Sequence, residues 1–287
     1  MDGSVVTIVL LAALLHASWN ALVKAGPDKY LTTVLVACGA GLVSLPLLPF
    51  AAMPHADSWP WLIASACCQV IYYRLLAAAY HHGDMSQAYP LMRGAAPLLV
   101  ALASVPLLGE HLHWRQDVAI MLICGGVLTL TILRGASVGA DTGSNRNARR
   151  SATFYALLNA AVIATYTMID GVGVRKSGAP AAYAMWLFVL TAALLLLCST
   201  SRWRELPAYA RRHAGVMLLG GVGTLASYGL ALWAMTHAPV AAVAALRETS
   251  IMFAAAIAAL FLRERLAPGR ILAVSLIACG AILMRLG

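Results

Sequence analysis

Residues 239–262 read PVAAVAALRETSIMFAAAIAALFL, and residues 86–107 read SQAYPLMRGAAPLLVALASVPL. Each has the length of a membrane-spanning helix, since about 20 helical residues cross the ~30 Å of bilayer hydrocarbon. Each also holds an arginine well inside the apolar run, Arg247 in one and Arg93 in the other. An arginine at the centre of a spanning helix costs roughly 2.5–3.5 kcal/mol on insertion scales, so such residues face a bundle interior or a wet cavity. These two runs set the fold class and point to where the chemistry lies.

The rest of the chain agrees. Of its 287 residues 61% are hydrophobic and 11% charged, with mean hydropathy +0.81. A soluble domain carries about 25% charged residues, so most of this surface must face lipid. Further apolar runs fall at 5–24, 30–52, 60–82, 115–134, 151–174, 179–199, 213–236 and 269–286. The ~10-residue alternation of a membrane β-barrel is absent. The expectation is an all-α membrane protein of ten transmembrane helices. The net charge of +9 sits in short clusters between the runs, which suits topology better than nucleic-acid binding. The six cysteines all lie inside apolar runs without zinc-type spacing and read as inert thiols. No basic region precedes the first apolar run, so it reads as an uncleaved first helix.

The chain also repeats itself. Arg93, Glu110, Leu112 and Gly126 match Arg247, Glu264, Leu266 and Gly280, each pair 154 positions apart. Tyr73 and His82 match Tyr228 and His237 at 155. The polar stretch 135–150 divides the halves, which gives a first five-helix repeat at 1–134, a linker, and a second repeat at 151–287. An odd number of spans per repeat inverts the second copy. Inverted repeats place substrate at their interface near the midplane, and rocking between them gives alternating access.

A ten-span chain duplicated in this way resembles the EamA branch of the drug/metabolite transporter superfamily. The stretches that carry the likeness are HASWNALVK (His16 to Lys24), GEHL (Gly109 to Leu112) and RERLAPGR (Arg263 to Arg270), the last followed by a small-residue-rich span. The resemblance implies a secondary carrier of small metabolites, often an exporter, in the cytoplasmic (inner) membrane of a bacterium. A weaker likeness, in HASWNALVK and ATYTMIDGVGVR (Ala164 to Arg175), is to members associated with phosphonate utilisation. On orientation two expectations conflict. Lys and Arg cluster in the connections after odd-numbered spans, notably at Arg146, Arg149, Arg150, Arg202, Arg204, Arg211 and Arg212. That places both termini outside the cytoplasm, whereas the resemblance implies both inside.

Within the spans, Arg93 and Arg247 are read as pseudo-symmetric cationic walls of a central site; the alternative is that they bridge to Glu248 or to backbone and only hold helices together. Pro90 and Pro97 are expected to bend or loosen the helix around Arg93. Arg74 follows Tyr72 and Tyr73 too deep in its span to snorkel, and is expected to line the same cavity. His16, Trp19 and Asn20 cover about one turn, with His16 and Asn20 on one face, turned either to the cavity or to a neighbouring helix. Asp170, nearer a span end, reads as an arginine partner, a proton acceptor or an interfacial acid. Tyr89, Tyr166 and Tyr228 are aromatic candidates for solute contact, with packing as the alternative.

Three interior arginines against two acids, Glu248 and Asp170, favour an anionic or zwitterionic solute, since guanidinium clamps planar oxyanions. Glu248 is the first candidate for a coupling proton. The first span holds no acid, which disfavours a carrier of quaternary ammonium ions of the small multidrug-resistance kind. Export of cationic or drug-like compounds is the alternative reading. A membrane-embedded enzyme acting on lipid head groups would need a catalytic cluster that the short loops lack. Gly171 and Gly173 precede no βαβ unit and there is no P-loop, so no cofactor is expected. The expected partners are a small-molecule substrate, membrane lipid and a coupling proton. A duplicated chain completes its own pseudo-symmetry, so a monomer suffices and a dimer is allowed.

Overall fold

A computed structural model describes residues 1–82, 85–137, 143–198, 202, 204–261 and 268–286. The described residues are helical, with no strand among them. In chain order they form α1 (Gly3–Ala25), α2 (Lys29–Leu47), α3 (Trp59–His82), α4 (Met85–Leu108), α5 (Trp114–Ser137), α6 (Gly143–Ser177), α7 (Pro180–Cys198), the short α8 (Leu206–Arg212), α9 (Ala214–Met235), α10 (Val240–Arg247), α11 (Ser250–Phe261) and α12 (Pro268–Leu286).

Ordinary end signals set these bounds. Asp28 caps α2 by accepting the Leu31 N–H at 2.9 Å. Gly109 and Gly178, just past the ends of α4 and α6, take positive φ (64° and 62°), the left-handed step that stops a helix and that glycine adopts without a Cβ clash. Among the described residues, eight segments are long and apolar enough to cross a membrane: Gly3–Val23, Tyr30–Phe50, Tyr89–Leu108, Arg150–Ser177, Pro180–Cys198, Ala214–Met235, Val240–Ile257 and Pro268–Leu286. Large apolar side chains such as Leu102, Leu107, Leu219 and Ile282 are exposed around the bundle. A water-facing surface rarely gathers so many.

The packing has a regular plan. α3 runs along α6 and α1 along α9; α2 lies on α9 and α3 on α7; α4 lies on α6 and α1 on α10 and α11. α2 packs on α7, and α5 on α12. The last pair crosses closely at two glycines. A Cβ on Gly126 would lie 2.8 Å from the Ala273 carbonyl oxygen, and one on Gly280 would lie 2.8 Å from that of Ala119. As the chain ascends α5 from Ala119 to Gly126, its neighbours descend α12 from Gly280 to Ala273, so the two helices are antiparallel.

Two expectations need correction. The loosening expected around Arg93 is not where the prolines are: α4 stays helical from Met85 to Leu108 with Pro90, Pro97 and Pro106 inside it. The break falls instead in the span of Arg247, between α10 and α11, where no proline occurs. There the ladder tightens, with Glu248 N–H donating to Ala245 O at 2.9 Å and Thr249 N–H to Leu246 O at 3.1 Å. Such a three-residue step inside a helix frequently marks a functional hinge. The polar connection 135–150 is also shorter than its composition suggests, since α5 continues to Ser137 and α6 starts at Gly143. Polarity there indicates where the chain leaves lipid, not where helix stops. Glu264, the second repeat's match to Glu110, lies outside the described residues.

Candidate functional site

A cavity of about 110 Å³ opens between α1, α2, α3, α4, α6, α7, α9 and α10. One water fills roughly 10–15 Å³ on this measure, so the space suits a small metabolite or several waters. Four residues of α1 line it: His16, Trp19, Asn20 and Val23. Their one-face spacing is as expected, and Asn20 Nδ2 also donates to the His16 carbonyl at 2.8 Å. α4 contributes Tyr89 and Arg93, α6 Tyr166, and α10 Arg247. α9 supplies Thr224, Ser227 and Tyr228, α7 Phe188 and α2 Thr33.

From α3 the lining residues are Gln69, Tyr72, Tyr73 and Leu76, at the i, i+3, i+4, i+7 spacing of one helix face. Arg74 is about 100° off that stripe and exposed on the bundle's outside, so the expectation that it lines the cavity is corrected. Gln69, Thr33, Thr224, Ser227 and Phe188 were missed. The α3 stripe and the Thr224, Ser227, Tyr228 face of α9 were readable as polar stripes on apolar helices.

The two arginines differ. Arg93 is 8% exposed and forms a side-on double contact with Glu248, itself 4% exposed: Nε donates at 3.0 Å and the second nitrogen lies 2.9 Å away. The bridging alternative thus holds for Arg93, and Glu248 is held in that pair instead of lining the cavity. Arg247 is 9% exposed and has no ion pair among the described residues. Its guanidinium lies over the Tyr228 ring, 4.9 Å from the centroid, and its Nε is buried without a hydrogen-bond partner. Trp19 Nε1, another cavity-lining donor, is likewise buried and unpartnered. Two unpartnered donors on cavity-lining residues call for an acceptor, and a guanidinium supplies the planar edge that suits an oxyanion.

The numbering explains the difference. Arg93 and Arg247 occupy matching positions 154 apart, but the position matching Glu248 is Gly94. Arg93 pairs with an acid on the facing helix, while the position that the same offset would set against Arg247 is a glycine and carries no side chain.

Asp170, expected near an interface, is fully buried instead, because α6 runs on to Ser177. Its carboxylate accepts from Tyr183 Oη at 3.1 Å and from Tyr228 Oη at 2.5 Å. It lies behind the lining and not in it. Tyr228 therefore has the Arg247 cation on its ring face and Asp170 at its hydroxyl.

On the side of the chain termini the bundle is tied shut. Glu110 accepts the Val240 N–H at 2.9 Å, capping α10, and receives Arg175 at 2.6 Å. Arg175 also donates to Met235 O at 2.8 Å and Ala238 O at 3.1 Å. This latch joins the α4–α5 turn, the end of α6 and the α9–α10 turn. In the sequence Glu110 stood only as a repeat marker and as part of GEHL.

Fold and site define a multi-pass helical membrane protein with a polar, aromatic-lined interior cavity. The EamA-like transporter family model matches residues 3–132 and again 150–286, and the chain belongs to that family. It is therefore a membrane transporter. It is similar to the nicotine metabolites export pump subunit NepA of Paenarthrobacter nicotinovorans, with 30% identity over 73 residues, which cover 25% of this chain and 63% of that one. The similar stretch thus spans less than two thirds of that relative's length. A crystal structure of a protein at 20% identity superposes with TM-score 0.76 over 100% of this chain and 98% of the other, a likeness of fold alone.

Proposed function

We propose that the chain is a secondary carrier, an exporter or exchanger, of small anionic or zwitterionic metabolites, built as ten membrane spans in two inverted five-helix repeats (1–134 and 151–287). The observation that carries the solute class is Arg247: a buried residue of the cavity lining, without an ion pair among the described residues, beside a second unpartnered donor on Trp19. An unpaired buried charge is expensive, and a solute carboxylate, phosphate or phosphonate relieves it. Tyr73, Tyr89 and Tyr166 line the same cavity and offer aromatic surface to the rest of the solute.

Support for the repeat comes from the packing. With α10 and α11 taken as one span and α8 as a surface helix, exchanging each span with the one five later reproduces the most extensive contacts between the halves: α3 with α6 maps to α1 with α9, α2 with α9 to α3 with α7, and α4 with α6 to α1 with α10 and α11. At the α5–α12 crossing, Gly126 meets Ala273 and Ile277 while Gly280 meets Ala119 and Ile123, and every one of these positions is 154 from its counterpart. An antiparallel crossing with that register is what a two-fold axis in the membrane plane produces. The twofold match of the family model points the same way. The α10–α11 step beside Arg247 provides a hinge, a monomer completes the symmetry, and the bacterial inner membrane is the assigned location.

Export of organic cations is the second reading, favoured by the ring-rich lining and the likeness to an export pump subunit. It is weakened because Glu248 and Asp170 are both already engaged. The test is flux of labelled amino acids, phosphonates and organic cations into proteoliposomes, with and without a pH gradient. Anionic or zwitterionic solutes should be carried; transport of the cations alone would reverse the assignment.

A further inference from the structure

Asp170 is a buried acid that the solute site does not touch. It has no exposed surface and makes no ion pair among the described residues. The groups that face it are Ser65 and Cys68 from α3, Tyr166 on its own helix, Tyr183 from α7, Tyr228 from α9 and Arg247 from α10. Arg247 is the charged group in that set, and it is separated from the carboxylate by the Tyr228 ring on which it lies. Glu248, the other interior acid, is occupied in its double contact with Arg93.

We propose that Asp170 is a proton-binding site coupled through Tyr228 to Arg247, so that a proton on Asp170 and an anion on Arg247 bind cooperatively. An ionisable group inside a membrane bundle is costly to keep there, and proton relays are a common reason for keeping one. The step is a simple protonation. A proton from the aqueous side joins one carboxylate oxygen, the new O–H donates to one tyrosine oxygen, and that tyrosine's own hydrogen turns elsewhere. With Asp170 charged, Arg247 has a counter-charge across Tyr228. With Asp170 neutral, that counter-charge is lost, and the attraction of the guanidinium for a solute anion grows. By reciprocity, an anion on Arg247 raises the proton affinity of Asp170 by the same factor. The cooperative half of this inference rests on reading Arg247 as the anion site; the proton site does not.

The test uses the full chain reconstituted in lipid and needs no solute. Infrared difference spectra recorded across a pH series should show a protonated-carboxyl band that titrates. Asp170→Asn should remove the band, and Asp170→Glu should move it if the Asn variant does not fold. Glu248→Gln should leave it in place. Arg247→Gln should move its midpoint to higher pH, because a cation that favours the carboxylate has gone. A titrating band untouched by both Asp170 variants, or no such band, overturns the proton site. A midpoint indifferent to Arg247→Gln overturns the coupling alone. In neither case is the reading of Arg247 as an anion site affected, since that depends on solute flux.

Discussion

Replacing Glu248 by Gln keeps the shape of the Arg93 pair and removes its charge. Both side chains are less than a tenth exposed, and the contacts are 2.9 and 3.0 Å, so water does not compensate the loss. Breaking a buried pair by removing one partner costs about 3–5 kcal/mol, because the survivor is left charged and dry. Arg93→Met should cost less, since Glu248 still lies within the electrostatic reach of Arg247. The double variant, Arg93→Met with Glu248→Gln, should recover most of the loss, because a neutral, well-filled replacement of a buried pair is often near neutral. Unfolding titrations in mixed detergent, followed by the fluorescence of the 7 tryptophans, give the double-mutant cycle. Single costs that simply add would refute the reasoning, because they would mean that the two groups do not depend on each other.

Other predictions rest on separate parts of the fold. Gly126→Leu and Gly280→Leu should each lower stability by roughly 1–3 kcal/mol through overpacking, and by similar amounts, since their surroundings match; thermal unfolding compares them. Glu110→Gln should loosen the latch at the terminal side by about 1.5–3 kcal/mol, the usual worth of hydrogen bonds to a charged group. Cysteines placed at Met235 and Leu108 should then label faster with a membrane-impermeant thiol reagent. Outside the membrane, burial pushes the Asp28 carboxyl up, but the Leu31 N–H and Arg202 outweigh it and hold it below the ordinary value. The stability this gives is full above the unfolded-state value of about 3.9 and is lost as pH falls through the lower folded value. The melting-temperature gap between wild type and Asp28→Asn should therefore stay level above pH ~5 and close in stronger acid.

The helices were legible because length and apolarity alone mark a membrane span, and most expected runs have helix within a few residues; α6 starts earlier than expected, at Gly143, and the run 239–262 is split into α10 and α11. The cavity-lining roles of His16, Trp19, Asn20, Tyr89, Arg93, Tyr166, Tyr228 and Arg247 were legible for a related reason: polar groups in lipid-soluble sequence must turn inward. Arg74 escaped that logic because it stands next to two cavity tyrosines and yet faces outward, a matter of 100° that depth in the span cannot reveal. The partnership of Arg93 with Glu248 was only one of several open pairings, because adjacency of Arg247 and Glu248 in sequence says nothing about which helix lies opposite. Asp170 kept an interfacial role among its options because the expected run ends at 174, whereas α6 continues to Ser177 and the residue is fully buried. The α10–α11 break had no proline to announce it.

The account depends most on Arg247. Flux and equilibrium binding of carboxylate and phosphonate solutes should be compared for wild type, Arg247→Lys and Arg247→Gln in proteoliposomes, with folding checked by gel filtration. Loss of a charge-assisted contact worth about 1.5–3 kcal/mol predicts binding weakened roughly 10- to 150-fold in Arg247→Gln, with Arg247→Lys intermediate because an ammonium lacks the planar fork. Unchanged affinity and flux of these anions in a folded Arg247→Gln protein would contradict it.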